Sequence, residues 1–317
     1  MEVTLVITVK NEAKSMERLL GDIFGMTRVP DETVIVDGGS TDGTREIVRK
    51  QIESGRAIRL VEARGANIAR GRNLGIREAR HEVIAVTDGG CRLRADWLAK
   101  LLKPMEADSE VEVVSGWYEY TAETAFEKKL LRTTKQPSVA AAKAGDFLPS
   151  SRSVAFRKSA WQKAGGYPEW LSFAAEDTQF DLQLQKAGCK FGLATDAVVE
   201  WRVRGSLRAV FKQHYLYGVG SGESRRVDEA RVAELLQAIG FPVLLVAGFF
   251  WVWSWVILVV LLATRYLRTA MRVGSGDPML QVIWLVTTLG STAGFLRGLF
   301  RFRKASGQND EGVRERH

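Results

Sequence analysis

The sequence predicts an α/β fold with a mainly parallel sheet, followed by an α-helical region near the C-terminus. Three observations support this prediction. Short runs of branched apolar residues alternate with stretches of helical length over residues 3–88. Two of those runs end in an aspartate that glycines follow, and two long uncharged stretches lie near the C-terminus.

The elements of the α/β part follow in order. Its first strands are predicted at 3–9, 33–36, 58–61 and 82–86, with helices at 12–25, from 44, and at 67–79. Strands that alternate with helices of this length form βαβ units and a mainly parallel sheet. Beyond residue 110 the predicted strands are 111–120 and 151–156, and the predicted helices are 126–135, 158–165 and 176–187.

The stretch 83–91 contains the most informative motif. Its buried strand ends at Asp88, and Gly89 and Gly90 follow at once. A carboxylate at the carboxyl end of a strand lies in the ligand crevice of an open sheet, and glycines let phosphates and a cation approach the backbone. Asp37, followed by Gly38, repeats the pattern. We interpret Asp88 as an anchor for a metal or a diphosphate; the alternative is an Asp-Gly-Gly turn.

Composition and motifs exclude several classes of protein. Neither aspartate loop is a G-x-G-x-x-G fingerprint, and no G-x-x-x-x-G-K-[ST] run occurs. The chain therefore lacks the central motif of dinucleotide dehydrogenases and that of P-loop proteins. The net charge of +8 is concentrated in residues 201–226. Because this basic patch precedes an apolar segment, it favours anionic lipid headgroups over nucleic acid. The two cysteines are expected to be free cytosolic thiols.

The C-terminal region is predicted to cross the membrane. The run 241–264 is uncharged, and as one helix it would span ~36 Å, more than the ~30 Å hydrocarbon core. A second uncharged run, 278–296, is the weaker candidate because it contains more polar residues and glycines. Basic residues flank both runs, and a hairpin with both ends cytosolic is the simplest arrangement. We therefore predict an integral protein of the cell membrane with a cytosolic catalytic domain.

Glu176 and Asp177 stand at the predicted start of a helix. Acids in the first turn often cap free N–H groups and offset the helix dipole, which is one interpretation of the pair. The other is that a carboxylate aimed into a partly dry pocket serves as a general base for a hydroxyl nucleophile. Asp181, one turn later, is expected on a solvated face.

With these motifs in hand, the chain resembles the family 2 glycosyltransferases, which are inverting nucleotide-sugar enzymes of the GT-A fold. The resemblance covers about residues 3–220. Six motifs occur in the family's order and spacing: Asn11-Glu12, the Val36 to Gly43 loop, Arg72-Asn73-Leu74-Gly75, the Asp88 loop, Gly165-Gly166-Tyr167 and Glu176-Asp177.

The resemblance implies roles for individual residues. Asp37 would bind the nucleotide base, Asp88 would hold a divalent cation, Mn²⁺ or Mg²⁺, on the diphosphate, and Asp177 would deprotonate the acceptor hydroxyl with Glu176 beside it. The remaining residues expected around the nucleotide sugar are Thr8, Val9, Asn11, Glu12, Gly38, Arg72 and Gly89.

Two departures from the family pattern stand out. The usual Asp-x-Asp is here Asp88-Gly89-Gly90, so the second carboxylate is missing. Trp201 stands where family members often have a histidine. Trp201, Arg204 and Gln213 are therefore candidate contacts for the diphosphate or the acceptor, and the alternative for Arg204 is that it faces lipid headgroups.

The resulting prediction is a metal-dependent hexosyltransferase that moves one sugar, with GDP-mannose as the preferred donor, to a lipid-linked acceptor. Two spans are too few to form a channel for a growing polymer, which argues against a processive polysaccharide synthase. The alternatives are a nucleotidyltransferase acting on sugar phosphates and a non-catalytic membrane scaffold that binds nucleotide sugars. The predicted divisions are a GT-A domain at 1–205, interfacial amphipathic helices at 206–239, a transmembrane region at 240–304 and a polar tail at 305–317. The oligomeric state is not predicted.

Overall fold

The computed structural model describes residues 1–143, 148–225 and 229–314. The strands in that part of the chain are β1 (Val3–Val9), β2 (Glu32–Asp37), β3 (Ile58–Glu62), β4 (Val83–Asp88), β5 (Cys91–Leu93), β6 (Val113–Thr121), β7 (Val154–Arg157) and β8 (Phe191–Arg202). The helices are α1 (Ala13–Phe24), α2 (Thr44–Glu53), α3 (Ile68–Glu78), α4 (Trp97–Ala107), α5 (Ala125–Thr133), α6 (Val139–Lys143), α7 (Lys158–Ala164), α8 (Glu176–Lys186), α9 (Leu207–Glu223), α10 (Glu229–Ala247), α11 (Trp253–Val273) and α12 (Met279–Arg314).

The described strands form one mixed sheet of eight strands in the order β3-β2-β1-β4-β7-β6-β8-β5. The first four strands along the chain are mutually parallel, whereas β7 runs antiparallel to both β4 and β6. Apolar side chains cover both faces of the sheet, with α1 and α4 on one face and α3, α7 and α8 on the other. Burial on both faces explains why these strands are continuous apolar runs.

The connectivity reverses at β1, which pairs with β2 on one side and β4 on the other. Asp37 lies opposite Val9 in the register, and Asp88 lies opposite Thr8. The two aspartates therefore flank the carboxyl end of β1, at the point where open α/β sheets bind ligands. This confirms that both aspartate loops lie on one edge of the sheet.

Helix α3 packs unusually close to the sheet because two of its residues are glycines. A Cβ at Gly75 would lie 2.5 Å from Val6 Cγ1, and one at Gly71 would lie 2.9 Å from Thr8 Cγ2. Larger side chains would push the helix outward. The close approach buries Arg72, which directly follows Gly71, against the ends of the strands.

Several elements differ from the prediction. Strands β5 and β8 were not predicted: β5 has only three residues, and β8 mixes polar with apolar residues because both of its ends are partly exposed. Asp181 does not lie on a solvated face, since it is 3% exposed on the side of α8 that packs against the sheet. Between the predicted helix 126–135 and the predicted strand 151–156 the structure contains the short helix α6, and residues 144–147 lie outside the described part.

The chain divides into two compact units. The first contains Met1–Thr121, Gln136–Ser172 and Glu176–Arg202, and therefore the whole sheet. The second contains Ala122–Lys135, Phe173–Ala175 and Val203–His317. The division differs from a boundary at residue 205, because α5 and the tripeptide before Glu176 group with the C-terminal helices.

The prediction of one continuous helix over 241–264 is wrong. That run is divided between α10, which ends at Ala247, and α11, which begins at Trp253. A Cβ at Gly248 would lie 1.8 Å from Trp255 Cδ1, and the Trp255 indole N–H donates to the Leu245 carbonyl at 2.8 Å. Only glycine fits at this corner. The break comes from packing between the two helices, which composition does not reveal.

Helix α12 extends the weaker of the two predicted spans. Among the described residues, Met279–Arg301 is the one helical stretch long and apolar enough to cross a membrane, and 44% of its most apolar window is buried. The helix continues to Arg314 through most of the predicted polar tail, and residues 315–317 lie outside the described part.

Helices α9 and α12 pack through glycines on both partners. A Cβ at Gly218 or Gly222 of α9 would lie 2.2 Å from a backbone carbonyl oxygen of α12. Conversely, a Cβ at Gly294 or Gly298 of α12 would lie 2.0 or 2.3 Å from a carbonyl oxygen of α9. The four-residue spacing places these glycines on one face of each helix, so that the two backbones touch.

We expect Gly294→Ala to destabilise the protein by about 1–3 kcal/mol, because its methyl group would overlap the Tyr215 carbonyl. The matched control is Gly240→Ala in α10, where no atom lies within 4 Å of the added Cβ. Alanine should be neutral or stabilising there, since it is the better helix former. Thermal unfolding in detergent measures both, and equal midpoints for the two variants would contradict the glycine contact.

Candidate functional site

The candidate site is centred on the buried guanidinium of Arg72, whose side chain is 2% exposed. Its Nη1 donates to Glu176 Oε1 at 2.6 Å, and its Nη2 donates to Asp88 Oδ1 at 2.8 Å. Helix α3, the end of β4 and the start of α8 therefore meet at one side chain. The structure brings together three predicted site residues that are widely separated in the sequence.

The ionisation of this cluster reflects burial and charge together. Burial acts to lower the pKa of Arg72, but the charges of Asp88 and Glu176 outweigh it and raise the pKa above its ordinary range. Burial and the charge of Asp177 raise the pKa of Glu176 to about 7, against the opposing effect of Arg72. Arg72 thus stays charged, whereas Glu176 gains or loses its proton near neutral pH.

The other two acids of α8 differ in exposure. Asp177 is half-buried, and its Oδ1 accepts a hydrogen bond from the Thr178 N–H at 2.8 Å. Asp181 is buried, with no partner for its Oδ2 among the described residues, and burial and the Asp177 charge raise its pKa well above the ordinary value. Of the three acids, Asp177 is the most exposed.

Asp37 shapes the loop after β2. Its Oδ1 accepts from the N–H groups of Gly39 and Ser40 at 2.9 and 2.8 Å, which closes the turn. Its Oδ2 is buried and has no hydrogen-bond partner among the described residues. A buried oxygen left without a donor is costly, so this atom is a candidate acceptor for a donor group on a bound base.

The loop after β1 is tied to the loop after β2. Asn11 has a φ of 58°, which is unusual for a residue other than glycine, and its Oδ1 accepts from the Thr41 N–H at 2.9 Å. The N–H of Glu12 donates to Thr44 Oγ1, and the N–H of Gly38 donates to the Val9 carbonyl, both at 2.9 Å. The strained backbone is therefore held by cross-loop hydrogen bonds.

Gly89 brings the third loop onto the first. A Cβ at this position would lie 3.1 Å from Val9 Cγ1 and 3.3 Å from Glu12 Cγ. A side chain at residue 89 would occupy the space where the three loops converge. The residues predicted to surround the nucleotide sugar, Thr8, Val9, Asn11, Glu12, Asp37, Gly38, Asp88 and Gly89, thus lie around one end of β1.

The donor set at Asp88 limits how a cation can bind. The described residues contain no group of three or more His, Cys, Asp or Glu side chains able to hold a metal ion. Asp88 is 28% exposed, and one of its oxygens is engaged by Arg72. One carboxylate does not make an all-protein cage, but it suits Mg²⁺ or a similar cation that takes its other ligands from substrate phosphates and water.

Arg152 is a functional candidate that the sequence reasoning missed. Its carbonyl accepts from Thr87 Oγ1 at 2.8 Å, one residue before Asp88, and its guanidinium lies 4.0 Å from the centre of the Trp201 ring. Burial, and then the charge of Asp88, raise the pKa of the Cys91 thiol to about 12, and the charge of Arg152 opposes this. Trp201 is thus a contact of Arg152, a cation beside the Asp88 loop.

Asn73 fixes the segment that supports the cluster. Its amide Nδ2 donates to the Tyr167 carbonyl, and its Oδ1 accepts from the Tyr167 N–H and the Trp161 indole N–H, at 2.8 to 3.0 Å. The Tyr167 ring stacks on Phe180 of α8 with centroids 4.1 Å apart. The Gly165-Gly166-Tyr167 motif therefore links α3 to the helix that carries the acids.

Two predicted contacts belong to the second compact unit. Arg204 is exposed, and Gln213 donates from Nε2 to the Tyr217 hydroxyl at 2.9 Å. Their roles at a diphosphate or an acceptor stay predictions.

Comparison with known proteins identifies the relatives of this chain. A family model described as Glycosyl transferase family 2 matches residues 4–163. The succinoglycan biosynthesis protein ExoA of Rhizobium meliloti is 26% identical over 320 residues, which cover 95% of this chain and 96% of that protein. The glycosyltransferase AglE of Haloferax volcanii is 26% identical over 204 residues, covering 62% of this chain and 65% of that protein.

A solved structure with the same fold is the mannosyltransferase PcManGT from Pyrobaculum calidifontis, in complex with GDP-Man and Mn²⁺. It aligns with a TM-score of 0.62 at 22% identity and covers 95% of this chain and 87% of that one. Together with the family match, this likeness confirms the predicted GT-A fold.

The raised pKa of Glu176 predicts a pH-dependent stability. Between its ordinary value of 4.5 and about 7, the unfolded chain loses this proton while the folded chain keeps it. The free energy of unfolding of the wild type should therefore fall as pH rises through this window, by a few kcal/mol at most. The glutamine of Glu176→Gln cannot titrate. The melting temperature of the variant minus that of the wild type should therefore increase between pH 4.5 and 7.5. A difference that does not change with pH would contradict the raised pKa.

Proposed function

Because the chain belongs to glycosyl transferase family 2, we propose that it is an inverting enzyme that moves one hexose from a nucleotide-sugar donor to a lipid-linked acceptor. Membership of the family establishes a glycosyltransferase with a nucleotide-sugar donor. One observation supports the specific mechanism: Arg72 holds Asp88 and Glu176 together at the carboxyl end of the sheet, next to Asp177. The groups for the leaving diphosphate and for the acceptor hydroxyl therefore occupy one site.

In the proposed mechanism, the nucleotide binds over the end of β1. Asp37 accepts a hydrogen bond from the base, with Thr8, Val9, Asn11 and Glu12 around the base and ribose. Gly38 and Gly89 leave room for the backbone to approach the donor. The diphosphate then lies at Asp88, where Arg72 and Arg152 provide positive charge for its phosphate oxygens.

A divalent cation, Mn²⁺ or Mg²⁺, is the proposed cofactor, with Asp88 as its ligand from the protein. When bound, such an ion stabilises the negative charge that develops on the departing diphosphate. The likeness to PcManGT, whose structure contains Mn²⁺, supports this proposal. Because Gly90 stands where a second carboxylate is usual, Asp88 would hold the ion alone among the proposed protein ligands, and the diphosphate and water would supply the others.

Asp177 is the proposed general base. It takes the proton of the acceptor hydroxyl as the new bond to the anomeric carbon forms and the bond to the diphosphate oxygen breaks. Attack from the face opposite the leaving group inverts the configuration, so an α-linked donor gives a β-linked product. One carboxylate is sufficient, because the leaving group departs as a stabilised anion and needs no general acid.

GDP-mannose is our choice of donor, supported by the presence of GDP-Man in the PcManGT structure. The membrane is the proposed location, with the catalytic part cytosolic. The apolar C-terminal helices and the basic residues before them support it, because lipid headgroups attract Lys and Arg. A lipid-linked acceptor follows from that location.

The test of this function is to incubate purified protein with labelled nucleotide sugars, Mn²⁺ and a lipid extract. The proposal expects label in the lipid fraction with GDP-mannose, and release of GDP in equal amount. Release of pyrophosphate would instead indicate a nucleotidyltransferase, and binding without turnover would indicate a scaffold. Label in lipid from a UDP-sugar alone would overturn the choice of donor.

We expect Asp177→Asn to lower kcat by about 10²- to 10⁴-fold, because the amide cannot take up the acceptor proton. The Kd for the donor should change little, since Asp177 is not proposed to contact the nucleotide. The exposed residue Asp196 provides the control, as Asp196→Asn should keep full activity. Normal turnover by Asp177→Asn would exclude it as the base.

Asp88→Asn should weaken nucleoside diphosphate binding chiefly in the presence of Mn²⁺, by about tenfold or more. Titration calorimetry with GDP, in Mn²⁺ and in EDTA, separates this effect from a general loss of structure. The wild type should gain affinity from the ion, and the variant should lose most of that gain. If the gain is the same in both, Asp88 does not bind the cation.

A further inference from the structure

The second compact unit contains a helical hairpin whose apolar surface has no cover in the described chain. Its arms are α10 and α11, and its corner is Gly248 to Val252. At the corner, Phe249 is 75% exposed, Phe250 is 89% exposed, and Trp251, Val252 and Trp253 are each 59% exposed. A contiguous exposed apolar surface of this kind marks a site of interaction with a partner or a membrane.

The exposure surrounds α11 instead of lying on one face. All residues from Trp253 to Ala263 are exposed except Ser254 and Leu258, which are one helical turn apart. A helix that is apolar on all sides belongs in a protein core or in lipid. A second copy of this chain would cover one face, whereas lipid surrounds a helix, so the pattern favours lipid.

The length of the arms limits how deep the hairpin can reach. No acidic or basic residue occurs from Leu235 to Thr264. The uncharged parts of the arms are 235–247 and 253–264, which at 1.5 Å per residue are each roughly 18–20 Å long. Both are shorter than the ~30 Å hydrocarbon core, so neither arm crosses it.

Charged residues lie at the open end of the hairpin. Glu234 pairs with Arg231 at 2.6 Å before the apolar part of α10, and Arg265 follows that of α11. Trp284 of α12 joins the two arms: its ring centroid lies 5.9 Å from that of Phe241 and 3.5 Å from the Arg265 guanidinium. Trp284 thus contacts the first arm at Phe241, within its uncharged part, and the second arm at Arg265, where its uncharged part ends.

Four of the five backbone N–H groups of the corner are paired within the chain, which lowers the cost of insertion into lipid. The N–H groups of Gly248, Phe249, Phe250 and Trp251 each donate to a carbonyl three or four residues earlier, at 2.8 to 3.1 Å. The Leu245 carbonyl accepts from the Trp255 indole. The chain thus turns at the corner without leaving these groups in need of water.

Helix α12 is the competing candidate for the hydrocarbon region. Its glycine face packs backbone to backbone along α9, which carries Arg208 and Lys212. Charged residues within a span are costly. Lipid therefore surrounds α12 less readily than the hairpin.

We propose that the α10–α11 hairpin is a re-entrant membrane anchor, which enters one leaflet by its corner, Gly248 to Val252, and returns to the same surface. This inference rests on the membrane location proposed above. It replaces the two predicted spans, 241–264 and 278–296, by one hairpin that does not cross the bilayer. Its ligand is the acyl interior of the bilayer, with anionic headgroups at Arg265, Arg268 and Arg272.

Cysteine accessibility in the full chain tests the proposal. Ala233→Cys and Met271→Cys place a thiol at the open end of each arm, and Phe250→Cys places one at the corner; all three positions are exposed. A membrane-impermeant maleimide is added to inverted vesicles, which present the cytosolic surface, and to spheroplasts, which present the opposite surface. Cys91 and Cys189 are buried, so the unmodified protein gives the background.

The expected result is that the thiols of Ala233→Cys and Met271→Cys react in inverted vesicles alone. The thiol of Phe250→Cys should react from neither surface, with labelling at least tenfold lower until detergent is added. Reaction from the opposite surface would mean that the hairpin spans the bilayer. Reaction from the cytosolic surface would mean that it lies outside the lipid.

Transfer activity separates this result from the proposed function. If the corner reacts but the variants still transfer sugar to lipid, the anchor is wrong and the function stands. If every form, including the unmodified protein, washes off membranes, the membrane location itself fails, and the anchor fails with it.

Discussion

The buried guanidinium of Arg72 is the constraint on which the catalytic arrangement depends. An isolated charge in a protein interior is costly, and it is tolerated when carboxylates and hydrogen bonds surround it. Arg72 meets this condition only when β4, α3 and α8 hold Asp88 and Glu176 within 2.8 Å of its nitrogens. The glycines at 71 and 75 make this possible because they let α3 lie against β1. Close packing of the helix and alignment of the acids are thus one structural requirement.

The same cluster separates the acids of α8 by burial and by their partners. Glu176 is committed to Arg72, and Asp181 is buried with a pKa raised by burial and the charge of Asp177, which favours its neutral form. Asp177 is half-buried and engages one oxygen with its neighbour's N–H. Burial therefore separates three chemically similar residues within two helical turns. One oxygen of Asp177 can bind a backbone N–H of the first turn while the other stays available. The capping interpretation and the catalytic interpretation of the Glu176-Asp177 pair are therefore compatible.

The sequence predicted the parts of the site that depend on strand ends. Asp37 and Asp88 follow apolar runs directly, and the parallel sheet brings such positions to one edge, so their proximity could be inferred. The partnership of Arg72 with both Asp88 and Glu176 could not, because it depends on how closely α3 approaches the sheet. Asp181 was misjudged for a related reason: one polar residue on a helix does not reveal which face is buried. Arg152 belongs to no recognisable motif, and only its contacts with Thr87 and Trp201 indicate that it lies beside the Asp88 loop.

The C-terminal helices show why apolar composition alone did not predict the break within the run 241–264. Apolar residues with spaced glycines occur in helices that lipid surrounds and in helices that pack on one another, and hydropathy does not separate the two. In α12 the glycines contact the backbone of α9, which accounts for part of its apolar surface. In α11 most of the apolar residues are exposed. The uncharged run 241–264 is nevertheless not a single helix, because α10 ends just before Gly248. Exposure in the folded chain, and not the length of an uncharged run, distinguishes an apolar helix that stays uncovered, such as α11, from one that packs on another helix, such as α12.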